Sequence, residues 1–155
     1  MAVSYYPPVG FHFKVEFEDI NSKDDIRFQS ISGINMSVPN SETYQEGGEN
    51  RFTHRLPQRA SFDNLVLKRG MLIGSQLIAW FKDALEGFKF NPKLITVTLM
   101  NPSHEPLEQW VFYKAWPTKW NTDGFDAEKG AIVIETVEFS YQYMERKEIF
   151  KQLPT

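Results

Sequence analysis

The sequence predicts a mainly β protein: a small β-barrel or sandwich domain with one packed α-helix and one long loop excursion. Three observations carry that prediction. Apolar and polar residues alternate at period two through several separated stretches, the pattern of strands that bury one face. Only one stretch, near Ser75 to Glu86, spaces its apolar residues three and four apart, as an amphipathic helix does. Aromatics make up 15% of the chain, with Phe alone occurring 13 times, and large flat rings favour strands and buried interfaces.

The elements follow in chain order. Tyr5-Tyr6-Pro7-Pro8 is stiff and extended. Phe11, Phe13, Val15 and Phe17 then alternate with His12, Lys14 and Glu16, which makes a half-buried strand. A polar turn at Asn21 to Asp25 leads to a second strand starting at Ile26 and Phe28. Gly33 interrupts it, as a glycine at a bulge or sharp bend does, before Ile34, Met36 and Val38 resume the alternation. Pro39 to Asn50 reads as a long excursion, with Arg51 to Leu56 returning as a strand that Pro57 ends. Phe62 to Lys68 is the next strand, with Leu65 and Leu67 on one face, closing on Lys68-Arg69-Gly70.

The helix places Leu77, Ile78, Phe81, Ala84 and Leu85 on one face and Trp80 at its edge. Ser75 is its N-cap and Gly87 ends it. One apolar stripe means that it lies on a sheet. Ile95, Val97 and Leu99 alternate with Leu94, Thr96, Thr98 and Met100. After the turn cluster Asn101 to Pro106, Leu107 to Trp116 pairs back as a hairpin, and Pro117 stops that strand. Asp123-Gly124 and Lys129-Gly130 signal further turns. Ile132 to Tyr143 is the last long strand; its apolar set changes phase, which implies a bulge near Glu135–Thr136 or apolar contacts on both faces.

The 155 residues suit a single domain spanning 1–155, with an N-terminal arm at 1–9 and a C-terminal extension at 145–155. The net charge of −3 sets up no field that would attract nucleic acid or an anionic membrane. Met1 to Gly10 lacks the basic start and apolar run of a secretory signal, so export by that route is not expected. No stretch approaches the roughly 18 apolar residues of a membrane span, so no stable membrane anchor is expected.

Catalytic chemistry finds little support. With no cysteine, thiolate nucleophiles, disulfides and cysteine-based zinc sites are excluded. His12, His54 and His104 do not lie three or four residues apart, so spacing offers no metal site, and no cofactor is expected. Glu46-Gly47-Gly48-Glu49 is glycine-rich but flanked by carboxylates and followed by no helix, unlike a phosphate cradle. No G-x-S-x-G occurs. Asp126 and Glu128 sit in a turn-rich stretch and read as solvated charges. Trp110, Trp116, Trp120 and Tyr113 lack the basic groove of a base-stacking platform and read as packing residues.

One charge pattern invites a functional reading. The excursion starts acidic, with Glu42, Glu46 and Glu49, and turns basic at Arg51, Arg55 and Arg59, then Lys68 and Arg69. Opposite charges on different segments of one chain suit a head-to-tail contact between copies. Intramolecular pairing or plain solvation remains the competing reading.

Several short motifs then fall in a distinctive order. Gly10-Phe11-His12-Phe13-Lys14-Val15 is followed by Ser30-Ile31-Ser32-Gly33, by Tyr44-Gln45-Glu46-Gly47-Gly48-Glu49-Asn50, and by His54-Arg55-Leu56-Pro57. Leu67-Lys68-Arg69-Gly70 precedes the Trp80-bearing helix, and Ala115-Trp116-Pro117-Thr118-Lys119-Trp120 and Phe125-Asp126-Ala127 follow. Over roughly Pro7 to Tyr143, this order resembles the inner-tube (tail tube) proteins of contractile phage tails and extracellular contractile injection systems. It is distantly similar to the haemolysin-coregulated ring protein of type VI secretion.

The resemblance implies a non-enzymatic structural subunit. Homo-hexameric rings would join their sheets into one barrel around a lumen and stack into a tube. The implied partners are a contractile sheath protein, baseplate or spike proteins, tube-terminating proteins and lumenal cargo. By motif match, contacts between copies would fall on Met36, Tyr44, Glu46, Gly47, Gly48, Glu49, Asn50, Phe52, His54 and Arg55, with Lys68 and Arg69 opposite. Two alternatives stay open: a baseplate-proximal tube initiator of the same apparatus, and a stand-alone ligand-binding β-barrel with an internal pocket.

Overall fold

A computed structural model describes residues 12–21, 28–38, 42–44, 54–56, 59–71, 75–124, 128 and 133–148. The chain runs through β1 (His12–Phe17), β2 (Ser30–Ser32), β3 (Met36–Ser37), β4 (Glu42–Tyr44), β5 (His54–Leu56), β6 (Ser61–Phe62) and β7 (Leu65–Gly70). After α1 (Gln76–Leu85) come β8 (Lys93–Met100), β9 (Pro106–Thr122), β10 (Ile134–Ser140) and β11 (Tyr143–Glu148). The mainly β class with one helix is as the sequence pattern predicts.

The long strand β9 organises the sheet. Its first half pairs antiparallel with β8 on one edge and β11 on the other, and β8 in turn pairs β1. Its second half pairs β10, which pairs β7, which pairs β2. Among the described residues the result is a seven-stranded antiparallel sheet that bends along β9 into two layers and does not close into a barrel within one chain. Two small antiparallel pairs, β3–β6 and β4–β5, stand apart from it.

The alternation in β1 and β8 acts as predicted. Val15, Phe17, Ile95 and Val97 are buried, and Phe112 of β9 joins them. Leu65 and Leu67 of β7 and Val137 and Phe139 of β10 line the other layer. The helix covers the bend between the layers. Trp80 stacks on Phe139 at 5.4 Å between ring centroids, and Phe81 meets Phe139 edge-on at 5.1 Å. Phe17 touches both Trp80 and Phe139, at 6.2 and 5.7 Å. Each such ring pair adds about 0.5–1.5 kcal/mol beyond the burial of its area. The interior is therefore filled by aromatic rings where a ligand-binding barrel would keep its pocket.

The helix boundaries follow the capping signals. Ser75 has extended backbone angles, and its Oγ accepts a hydrogen bond from the Ile78 N–H at 3.2 Å. At the other end the left-handed turn falls on Phe88, at φ +50°, and not on Gly87. Trp80 is fully part of the core, while Leu85 is exposed.

Three strand expectations need correction. Pro117 does not stop its strand: β9 continues to Thr122, and the register shifts between Glu138 and Phe139 so that Thr118 bulges out. Proline has no N–H to give a ladder, and a bulge is where a sheet tolerates it. Next, no bulge lies at Glu135–Thr136. Glu135, Val137 and Phe139 are buried in one phase, so the residue that seemed to break the pattern is a carboxylate facing inward. Finally, the last strand breaks at Tyr141–Gln142 into β10 and β11. Residues 145–148 of the expected C-terminal extension are thus strand paired to β9.

Gly33 is a bend, as predicted, and the geometry shows why. It sits at φ +85°, and a Cβ there would lie 1.9 Å from the backbone oxygen of Asn64. Only glycine fits the close approach of these two chain segments.

Candidate assembly surfaces

Four strands, β1, β8, β9 and β11, form one layer whose inner face is the core. Strand pairing aligns its outer face into rows. Glu16, Thr96, Val111 and Glu145 make one row; Lys14, Thr98, Gln109 and Lys147 make the next. The middle of each row is uncharged and both ends are charged. Lys14 lies 3.3 Å from Glu16 in the same strand. Gln109 Nε2 donates to Thr98 Oγ1 across the row at 3.4 Å. The Tyr113 hydroxyl donates to Glu145 Oε2 at 2.8 Å, and that hydrogen bond is the leading reason its pKa lies above the ordinary tyrosine value. The Tyr113 ring stacks on Tyr143 at 4.3 Å.

The outer edges of β1 and β11 pair with no strand among the described residues. Each is six residues long. An unpaired edge exposes a ladder of N–H and C=O groups, and proteins cover it, blunt it or use it to bind another strand.

The expected interface residues divide into three groups. Met36, in β3, is 55% exposed and pairs in register with Phe62. Tyr44, His54 and Arg55 lie on the β4–β5 pair, where Tyr44 is opposite His54 and Thr43 opposite Arg55. Glu42–Tyr44 and His54–Leu56 thus form a two-stranded antiparallel pair. Glu46, Gly47, Gly48, Glu49, Asn50 and Phe52 lie outside the described residues.

Lys68 and Arg69 part company. Lys68 points outward and is exposed, whereas Arg69 is 2% exposed and its Nε lies 3.0 Å from Glu135 Oε2, itself 0% exposed. Arg69 Nη2 also donates to Ser75 Oγ at 3.0 Å, and the guanidinium lies over the Phe28 ring at 5.4 Å. Alternation along β7 sends the two neighbours to opposite faces. Arg69 is therefore a core residue that ties β7 and β10 to the start of the helix, and it is withdrawn as a surface contact.

Two features escaped the spacing argument. His12 Nε2 and His104 Nδ1 are 2.8 Å apart, although the residues are 92 positions apart in sequence. The turn before β9 presents His104 at φ +63°, held by Asn101 Oδ1, which accepts from the backbone N–H of Ser103 and Glu105. Among the described residues no group of three or more His, Cys, Asp or Glu side chains gathers to hold a metal. The other feature is the exposed pair Phe88 and Phe90, edge-on at 4.9 Å, with Phe88 82% exposed. It flanks a surface cleft of about 400 Å³ lined by Asp19, Ile20, Trp80, Asp83, Phe90 and Lys93 among others.

An open-edged β layer with a polar outer face and a filled core defines a self-assembling structural class more readily than a catalytic one. The comparisons agree. Residues 9–145 match the model of the T4-like virus tail tube protein gp19 family, and the chain belongs to that family. A chain in the sixfold-symmetrised baseplate of the anti-feeding prophage is 28% identical, with a TM-score of 0.77, over 96% of this chain and 99% of that one. A chain of the PVC extracellular contractile injection system, in its sheath–tube complex, is 24% identical with a TM-score of 0.77, over 94% of each chain. Hcp1 from Salmonella typhimurium shares the fold at 15% identity and a TM-score of 0.59, over 90% of this chain and 87% of that one. No curated protein matches by sequence. The chain is a structural tube subunit of the kind found in contractile injection systems and phage tail-like particles. Among the described residues no helix is long and apolar enough to cross a membrane.

Proposed function

We propose that copies of this chain close into six-membered rings by strand pairing, that the rings stack into a hollow tube, and that the subunit does its work without catalysis. The observation that carries this is the four-stranded layer with both edges open. Its strands alternate in direction, so β11 runs opposite to β1. An even number of antiparallel strands lets β11 of one copy meet β1 of the next and continue the antiparallel ladder around a ring. Six such layers make 24 strands, which at about 4.8 Å spacing give a backbone wall at least about 37 Å across, wider as the strands tilt. The sixfold symmetry of the assembly that holds the 28% identical relative supports that number.

In this reading the polar rows line the lumen and the helix faces outward, toward a contractile sheath. The excursion, with Tyr44, Glu46, Gly47, Gly48, Glu49, Asn50, Phe52, His54 and Arg55, and the exposed Met36 and Lys68, contacts neighbouring copies. Baseplate and tube-terminating proteins cap the two ends, cargo travels in the lumen, and synthesis is cytoplasmic.

Negative-stain imaging with light scattering tests the reading. Rings at least as wide as the wall estimate, or tubes built from them, are the expected result. A species of only 18.1 kDa at high protein concentration would refute it. Tubes of many rings would mark a main tube protein. Single rings that grow only on baseplate components would favour an initiator, the reading suggested by the baseplate relative.

A further inference from the structure

The register of the β1–β11 junction can be read from the charge rows. We infer that β11 of one copy pairs with β1 of the next with a stagger of two residues, placing Glu145 opposite Lys14. This rests on the ring reading above and goes beyond it by naming the contact between copies.

A level junction would simply extend each row into the next copy. The row that ends in Glu145 begins with Glu16, and the row that ends in Lys147 begins with Lys14. Level pairing therefore sets carboxylate against carboxylate and ammonium against ammonium at every junction, and directly opposed like charges destabilise a strand pair. On the core side it would also set Arg146 against the fully buried Val15.

A one-residue slip is no remedy, because it turns every polar side chain to the core face. Two-residue slips keep the faces, and there are two of them. In one, Lys147 meets Glu16, but Glu145 meets Glu18 in the turn past the end of β1, and Glu148 faces the buried Val15. In the other, Glu145 meets Lys14, Tyr143 meets Glu16, and Lys147 meets His12. On the core side of that register Met144 meets Val15, and Arg146 meets the Phe13 ring, an arrangement that suits a guanidinium. Only this second slip pairs opposite charges, matches apolar with apolar and keeps five residues of β11 on β1. A closed barrel also requires its strands to accumulate stagger, and a level junction repeated around a symmetric ring accumulates none.

The absence of cysteine makes the test clean. Three double-cysteine variants report three registers: Lys14→Cys with Glu145→Cys for the inferred one, Glu16→Cys with Glu145→Cys for the level one, and Glu16→Cys with Lys147→Cys for the opposite slip. Directly opposed positions have Cα atoms about 4.5–5.5 Å apart, within disulfide reach, and residues one step along lie too far. After mild oxidation, a covalent ladder up to the closed ring on a non-reducing gel is expected for the first variant alone. A ladder from either other pair overturns the inferred register. No ladder from any pair, with rings still visible by imaging, overturns the β1–β11 junction itself and leaves the ring reading standing. No rings from the unmodified chain would remove both.

Charge exchange guards against a variant that merely misfolds. Lys14→Glu alone and Glu145→Lys alone should each weaken a junction by about two- to fivefold. The two together should restore ring yield. If the double exchange assembles no better than the singles, the pairing of Glu145 with Lys14 is wrong.

Discussion

Replacing Arg69 by methionine should unfold this protein far more readily than any surface change, and replacing its partner as well should rescue it. Arg69 and Glu135 are 2% and 0% exposed, joined through Nε and Oε2 at 3.0 Å. Glu135 Oε1 is buried with no hydrogen-bond partner among the described residues. The carboxylate therefore depends on the guanidinium beside it. In Arg69→Met it stays buried without that cation, and breaking a buried pair on one side costs about 3–5 kcal/mol. Native domains hold only about 5–15 kcal/mol in total. For a chain of this size each kcal/mol lowers the melting midpoint by about 2–4 °C, so a drop of roughly 6–20 °C follows. Arg69→Met with Glu135→Leu removes both charges at similar volume, and such exchanges are often neutral or stabilising. The assay is urea unfolding followed by tryptophan fluorescence at one protein concentration, because assembly would add a concentration-dependent term. Lys68→Glu, one residue away on the exposed face, should stay within about 0.5 kcal/mol of the parent. An Arg69→Met protein with the parent's urea midpoint, or singles whose effects simply add in the double variant, would refute the buried-pair reading. The same geometry shows why reversing Lys68 and Arg69 together cannot report on assembly: half of that change strikes the core.

Gly33→Ala forces a non-glycine residue to φ +85° and brings its Cβ against the Asn64 carbonyl. A loss of at least about 2 kcal/mol in unfolding free energy is expected, since left-handed backbone alone costs about 1–2 kcal/mol; an unchanged urea midpoint would refute it. The Tyr141 hydroxyl donates to the Asp63 carbonyl at 2.6 Å, and burial, followed by the Asp63 carboxylate, pushes its pKa up to about 12. Because the folded value lies above the unfolded value of about 10, this stabilisation is fully present below pH 10 and is lost as pH rises toward 12. Tyr141→Phe should cost about 1 kcal/mol at neutral pH, the worth of one hydrogen bond. It should also flatten the fall of the urea midpoint between pH 10 and 12, and equal slopes in parent and variant would contradict that. With the far ultraviolet spectrum as a check on folding, Glu46→Lys with Glu49→Lys should restore assembly lost in Lys68→Glu if Glu46 and Glu49 of one copy meet Lys68 of another; normal tubes from Lys68→Glu alone would rule that contact out.

The elements that were legible in the sequence are those whose cause is local. Val15 and Phe17 alternate with charged residues, so β1 could be read directly; Ser75 caps its own helix, so the start of α1 could be read too. The failures share a different cause. Pro117 looked like a strand end because a proline interrupts a ladder, but the partner strand absorbs it by a register shift at Glu138–Phe139, some 20 residues away. Glu135 looked like a break in the apolar pattern because the cation that lets it turn inward, Arg69, is 66 positions distant. A still longer separation, 92 positions, hid the His12–His104 contact, since metal-ligand spacing along a chain says nothing about residues brought together by strand pairing.

The candidate interface shows the limit most clearly. Charge in the excursion drew attention to Glu46 and Glu49 because a run of like charges is visible in one dimension. Lys14, Glu16, Glu145 and Lys147 form no run, and in sequence they are only two alternating pairs near opposite ends of the chain. They become a pattern once β8 and β9 set the four side chains at matching heights on one face, with one sign at both ends of each row. Inside a single copy the row ends are about three strand spacings apart and do not meet one another. The consequence of the pattern appears only when the ends of two copies meet, where it penalises level closure and leaves a slipped ladder as the lower-energy way to close the ring.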